Sequence, residues 1–211
     1  MKLILAGATG LVGRHLLAFA LGEPRVSQVV APTRRALPAH PRLLAPVVDF
    51  DRLPEDADWW GADAAICALG TTMRDAGSRT AFHRVDHDSP LALARLAHAH
   101  GTPAFVLNSA KGADPGSRIF YSRVKGELEQ DLRAVGFASL TLVRPGLIGG
   151  ARDVPRRGEH LAAVALRALQ PALPRRWRIN PAGSIARAML EAAMQAPAGV
   201  HCIESDRLVA T

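Results

Sequence analysis

The chain has 211 residues, 48% of them hydrophobic and 21% charged, and carries a formal net charge of +7. That length suits one well-buried domain, and the composition is ordinary for a soluble globular protein. The basic excess is scattered arginine without zinc-finger spacing, basic heptads or an aromatic-interleaved basic stretch, so a basic surface with an anion-binding pocket fits better than nucleic-acid binding.

In chain order, short apolar runs predict strands at Leu3–Ala6, Gln28–Pro32, Ala45–Asp49, Asp63–Ala68, Ala104–Asn108 and Ser139–Val143. Between them, amphipathic spacing predicts helices at Leu11–Leu21, Pro90–His100 and Ser122–Val135, with a polar loop over Gly70–Thr80. Strands alternating with helices predict an α/β, Rossmann-like doubly wound parallel sheet with helices on both faces. Beyond Arg144 the pattern weakens: a loop at Gly146–Gly158, a helix near Glu159–Leu169, a break at Pro171–Arg178, a helix at Ser184–Gln195 and a strand at Gly199–Ile203. The whole, 1–211, reads as a single nucleotide-binding domain in which 146–211 form a small, irregular substrate region.

The first ten residues lack a long apolar segment and a cleavage site, and no run approaches membrane-spanning length, so a cytoplasmic protein is expected. Cys67 and Cys202 each sit in an apolar run and read as two buried thiols rather than a disulfide or metal pair.

Gly7-Ala8-Thr9-Gly10-Leu11-Val12-Gly13 follows the first strand directly and opens the first helix. Glycines there permit a tight turn and close backbone approach to a pyrophosphate, and the helix start offers free N–H groups to it. An NAD site places an acid about 20 residues further on, to bond the ribose 2′-hydroxyl. Thr33 occupies that place and is followed by Arg34 and Arg35. These read either as fork-shaped donors for a 2′-phosphate, which favours NADP(H), or as a solvated turn. Asp49 and Phe50 sit where an adenine could be held. Ala68, Leu69, Gly70 and Thr71 would let backbone run beside the cofactor.

Tyr121, the only tyrosine, lies four residues before Lys125, one of three lysines. On a helix that spacing puts both on one face. A phenol has an unperturbed pKa of about 10, and a nearby ammonium pulls it down, giving an acid/base suited to a carbonyl or alcohol.

These segments, with Val48-Asp49-Phe50, Cys67–Thr72, Arg84-Val85-Asp86, Ser109-Ala110-Lys111-Gly112-Ala113-Asp114, Tyr121–Glu127 and Arg144-Pro145-Gly146, resemble the short-chain dehydrogenase/reductase superfamily. The likeness is to its atypical branch, of the Tat-interacting-protein type, and runs from Gly7 to about Glu191. The resemblance implies Tyr121 as the proton donor or acceptor at the substrate oxygen, and Lys125 as the group that lowers its pKa and bonds the nicotinamide ribose. Ser109 becomes the hydroxyl that positions the substrate oxygen, although a one-residue shift puts Ala110 there instead. Pro145 and Gly146 resemble the segment backing the nicotinamide.

Two functions of different class follow. One is an NADP(H)-dependent oxidoreductase acting on a small carbonyl or alcohol. The other is a non-catalytic NADP(H)-binding regulator or redox sensor acting on a protein partner. Either is expected as a monomer or homodimer. His83 and His87, four apart with Asp86 and Asp88 nearby, read as exposed or capping residues in preference to metal ligands, and no metal is expected. Lys111 with Asp114 shapes the loop over the active site or a solvated turn, Trp177 lines a pocket or anchors packing, and Trp59-Trp60 pack helix against sheet.

Overall fold

A computed structural model describes residues 1–149, 174–175 and 178–209. The expected helix at 159–169 and Trp177 lie outside the described residues.

Among the described residues, seven strands form one parallel sheet. They are β1 Lys2–Ala6, β2 Gln28–Val30, β3 Leu43–Leu44, β4 Ala64–Cys67, β5 Ala104–Asn108, β6 Ser139–Arg144 and β9 Gly199–Glu204, in the spatial order β3-β2-β1-β4-β5-β6-β9. The order reverses at β1, where β2 lies on one side and β4 on the other. A crevice opens outside the strand ends at such a reversal, and ligands of open α/β sheets bind there. A second, two-stranded sheet joins β7 Ile148–Gly149 to β8 Asn180–Pro181.

Alternation along the strands splits the core in two. Leu3, Leu5, Ala64, Ile66 and Val106 face helix α1 (Leu11–Gly22) and helix α6 (Ala182–Gln195). Ile4, Ala65, Phe105, Leu107 and Leu142 face α4 (Ser89–Ala99) and α5 (Phe120–Val135). Helices thus cover both faces, as the fully apolar strands require.

The expected strand at 45–49 is displaced to Leu43–Leu44, with only a bridge from Thr33 to Val47 beyond it. Pro32 and Pro46 explain the break, because neither can donate to the ladder. The expected loop at 70–80 contains α2 (Met73–Ala76) and the start of α3 (Arg79–His83). Thr72 accepts from the amide of Asp75 and donates to its carboxylate, while Ser78 accepts from the amide of Ala81. A π-helical turn, Arg84–Asp88, then leads without interruption into α4. Cys67 is buried, and burial pushes its thiol up to about 11. Cys202, expected to be buried, is exposed, because β9 is an edge strand left open to solvent over nearly its whole length.

Candidate functional site

The turn between β1 and α1 is built so tightly that side chains are excluded. Gly7 has φ +85°, and a Cβ on it would fall 2.6 Å from the Ala68 carbonyl carbon and oxygen. A Cβ on Gly13 would fall 1.9 Å from the Gly7 oxygen. The first glycine therefore seats the turn on the end of β4, and the last seats α1 on the turn. Thr9 and Gly10 are exposed, Leu11 is half-buried and Val12 packs into the core. Gly10 caps α1 without a side chain, and the first turn of the helix holds no acid that would compete with an anion.

Beyond β2, Thr33 is buried and its hydroxyl donates to the Arg35 carbonyl at 3.0 Å. That bond folds the chain over, and Arg34 and Arg35 are exposed. The Asp49 carboxylate accepts from the Asp51 amide at 3.0 Å, and Phe50 packs against the α4–α5 side of the core. Trp60 is fully buried and donates to the Pro54 carbonyl, the packing role expected of the tryptophan pair.

Tyr121 and Lys125 sit one turn apart on α5. The Lys125 ammonium is buried and lies 2.7 Å from Asp86 Oδ1, itself buried in the π-helical turn. The other Asp86 oxygen accepts from the Thr71 amide at 2.8 Å. A Cβ on Gly70 would meet Asp86 Oδ1 at 3.4 Å and Lys125 Nζ at 3.9 Å, so the end of β4 passes close over this pair. Burial pulls the Lys125 ammonium down, but the Asp86 carboxylate together with Tyr121 and Cys67 outweighs it and the net shift is upward.

Tyr121 is 39% exposed and its ring meets Phe82 at 5.7 Å. Burial raises its phenol, Lys125 opposes the rise, Asp86 adds to it, and the net direction is up. The expected lowering by Lys125 is therefore reversed. Burial of the phenol is the main cause: it outweighs the ammonium, and the Asp86 carboxylate adds a smaller push in the same direction.

Ser109 is buried, and its hydroxyl donates to Glu129 Oε1 at 2.6 Å. Glu129 is buried too and is held by Arg144 and, at 3.6 Å, by Arg133. Those contacts raise the Arg144 guanidinium still further, hydrogen bonds to Glu129 being the main cause. Glu129 is eight residues beyond Tyr121, about 12 Å along the helix axis, so the Ser109 hydroxyl is turned toward a different part of α5. Ala110, next to it, is buried.

Several organising residues carried no expectation. Asp86 lay within a recognised segment without a role. Gly126 allows α5 to touch the preceding loop, since a Cβ there would fall 2.2 Å from the Asp114 carbonyl carbon. Glycine in the middle of a helix costs about 1 kcal/mol against alanine, and that cost was the available signal. Asn180 is fully buried, accepts from the Gly146 amide at 2.7 Å and donates to the Ser205 carbonyl at 2.7 Å, tying the turn after β6 to the C-terminal segment. The Lys111 amide donates to the carbonyl of Pro145 across the same mouth.

No protein-family model matches the chain. The rat protein HTATIP2 is 38% identical over 197 residues, which span 90% of this chain and 79% of that protein. The protein fmp52, mitochondrial, of Emericella nidulans is 36% identical over 168 residues, 75% of this chain and 71% of its own. Among solved structures, MoeE5 in complex with UDP-glucose and NAD superposes with a TM-score of 0.72 over 96% of this chain and 75% of its own, at 18% identity. That last likeness is one of fold alone, a Rossmann-like parallel sheet.

The fungal relatives are named mitochondrial, which overturns the cytoplasmic expectation. It rested on the lack of a secretory apolar segment and of a spanning run, and mitochondrial import signals are amphipathic and need neither. Among the described residues no helix is long and apolar enough to cross a membrane. With identity of 38% sustained over nine-tenths of its length, the chain belongs to the family of HTATIP2 and Fmp52, the Tat-interacting-protein type of atypical short-chain dehydrogenase/reductases.

Proposed function

We propose that the protein is an NADP(H)-dependent oxidoreductase acting on a small carbonyl or alcohol, with Tyr121 as its acid/base. One observation carries this reading: an unbroken run from the glycine turn to the buried lysine. Gly7 closes on Ala68, and Gly70, two residues further on, passes over Asp86 and Lys125.

The cradle fits a dinucleotide, because side chains are excluded where backbone must approach phosphate. Gly7, Thr9, Gly10, Leu11, Val12 and Gly13 would hold the pyrophosphate, and Arg34 and Arg35 the 2′-phosphate. Asp49 and Phe50 would border the adenine, while Ala68, Leu69, Gly70 and Thr71 run alongside. Pro145 and Gly146 would back the nicotinamide, within a single domain whose residues 146–211 supply the substrate region. The nicotinamide, when bound, gives or takes the hydride. Lys125 has three donors and spends one on Asp86, which leaves others for the ribose. Tyr121, its phenol raised, stays protonated near neutral pH and gives its proton to a carbonyl oxygen, which suits reduction.

Tyr121→Phe should abolish carbonyl-dependent NADPH oxidation while leaving cofactor affinity nearly unchanged. Arg34→Ala should weaken NADPH roughly tenfold to a hundredfold, the worth of one charge-assisted hydrogen bond, with NADH little affected. Equal affinity of the native protein for both cofactors would overturn the NADP(H) assignment.

The occupied Ser109 hydroxyl, with alanine beside it, favours a second reading: an NADP(H)-binding regulator acting on a protein partner. To position a substrate oxygen, Ser109 must leave Glu129. A panel of aldehydes and ketones that the native protein fails to reduce, despite binding NADPH, would select this reading.

A further inference from the structure

We propose that His83, His87 and Asp88 form a site for a divalent cation of the zinc class, built where the π-helical turn faces α5. Spacing alone offers two histidines four apart, which is too few ligands. The turn supplies the third. Residues five apart on an α-helix point about 140° away from each other. A π-helical turn carries an extra residue, here closed by the Ser89 amide on the Arg84 carbonyl, and so swings Asp88 back beneath His83. His83 Nδ1 lies 3.1 Å from Asp88 Oδ1, and His87 Nδ1 lies 2.8 Å from the same oxygen. The two rings are 4.5 Å apart, and one donor atom from each of the three residues falls within 4.8 Å of the others.

Tetrahedral zinc with nitrogen and oxygen ligands at about 2.0–2.2 Å holds its donors about 3.4 Å apart. The two separations to Asp88 Oδ1, 3.1 and 2.8 Å, need to widen only slightly to reach that spacing, and Asp88 is 56% exposed at its side chain. A fourth position would be left to water. Two imidazoles and a carboxylate suit zinc, and also cobalt or nickel, better than magnesium or calcium.

The far side of each ring is the second observation. Imidazoles that bind metals commonly hand their other N–H to a carboxylate, which orients the ring. His87 Nε2 lies 3.1 Å from Asp131 Oδ2, and His83 Nε2 lies 3.8 Å from Glu127 Oε2. Glu127 and Asp131 are four apart on α5, as His83 and His87 are four apart on theirs, so two matching ladders face each other. Three carboxylates thus gather around two imidazoles on a chain of net charge +7. The nearby arginines are partly engaged: Arg84 turns to Asp51 at 3.2 Å, Arg123 lies 3.7 Å from Glu127, and the Arg79 guanidinium sits over the Phe120 ring. His83 and Asp88 line an open cavity of ≈ 520 Å³ through which an ion can enter.

The site is independent of the cofactor reading. Its test is titration of the tag-free, chelator-stripped full chain with zinc chloride, followed by calorimetry. One saturable equivalent is expected. His83→Ala and His87→Ala should each lower affinity at least about tenfold, and Asp131→Asn by about 10–100-fold, as for other orienting carboxylates. Cobalt should give visible absorption that His83→Ala removes, and zinc should raise the unfolding temperature of the native chain but not of His83→Ala. Should His87→Ala fail to fold, His83→Ala and Asp131→Asn decide alone, with circular dichroism confirming their fold. No binding at one equivalent, or binding that His83→Ala and Asp131→Asn both retain, overturns the proposal.

Discussion

At the scale of single residues, Asp86 links the end of β4 to α5. Its carboxylate takes one bond from Lys125 and one from the Thr71 amide, and all three groups lie where the end of β4 meets α5. Buried ion pairs are poor sources of stability, but removing one partner typically costs about 3–5 kcal/mol because the other charge is stranded. Asp86→Asn keeps an oxygen for Thr71 and should fall at the lower end of that range. The same change removes a group that raises the Tyr121 phenol and frees the Lys125 field. Since Tyr121 is the only tyrosine, tyrosinate absorbance reports it without ambiguity. The native protein should titrate above the ordinary phenol value of about 10, and Asp86→Asn below the native midpoint. Because the folded value is raised, the stability linked to this group is intact below about pH 10 and is lost as pH rises through the folded value. An unchanged midpoint in Asp86→Asn would show that the carboxylate does not set the phenol.

At the scale of elements, Gly126 decides how close α5 comes to the loop that follows β5. Alanine there gains about 1 kcal/mol of helix propensity, yet its methyl would fall 2.2 Å from the backbone of Asp114 and Pro115. Overpacking against side chains costs about 1–3 kcal/mol, and backbone yields less readily, so Gly126→Ala should lower the denaturation midpoint. Gly183, in the first turn of α6, has nothing within 4 Å of a Cβ among the described residues, and Gly183→Ala should stabilise the fold by up to about 1 kcal/mol and raise that midpoint. Opposite signs from the same substitution would isolate packing from propensity. Helices α1, α4 and α5 were legible because their apolar spacing is long and regular. The short α2 and α3 were not, although Thr72 and Ser78 stood in capping positions, because their helical runs carry no apolar stripe. No periodicity announces a π-helical turn, and so neither the approach of Asp88 to His83 nor the placing of Asp86 could be foreseen. The tight glycine turn and the placing of Tyr121 and Lys125 one turn apart on a helix were legible, since such a turn demands glycine and a spacing of four fixes a helix face. Glu129, Asn180 and the capture of Ser109 depend on which elements pack together, and that is written in no single segment.

At the scale of the whole molecule, the sheet order predicts where stability resides. Strands β1, β4 and β5 are flanked on both sides and almost wholly buried, whereas β3 has two residues and β9 is exposed along nearly its whole length. Amides of the central strands should exchange with solvent deuterium only through global opening, and those of β3 and β9 through local fraying. Cofactor binding tests both this hierarchy and the proposed site. A ligand at about 100 times its dissociation constant adds about 2.7 kcal/mol to global stability, so β1, β4 and β5 should slow together by about a hundredfold. Edge amides, which open without releasing the ligand, should change little. Local slowing should appear at residues 7–13 and 68–71, since the glycine turn and the end of β4 touch each other. NADPH that protects 7–13 but leaves 68–71 unchanged would mean that only the phosphate end is held. The nicotinamide would then not reach Lys125 and Tyr121, and the oxidoreductase reading would fall while the binding reading survived.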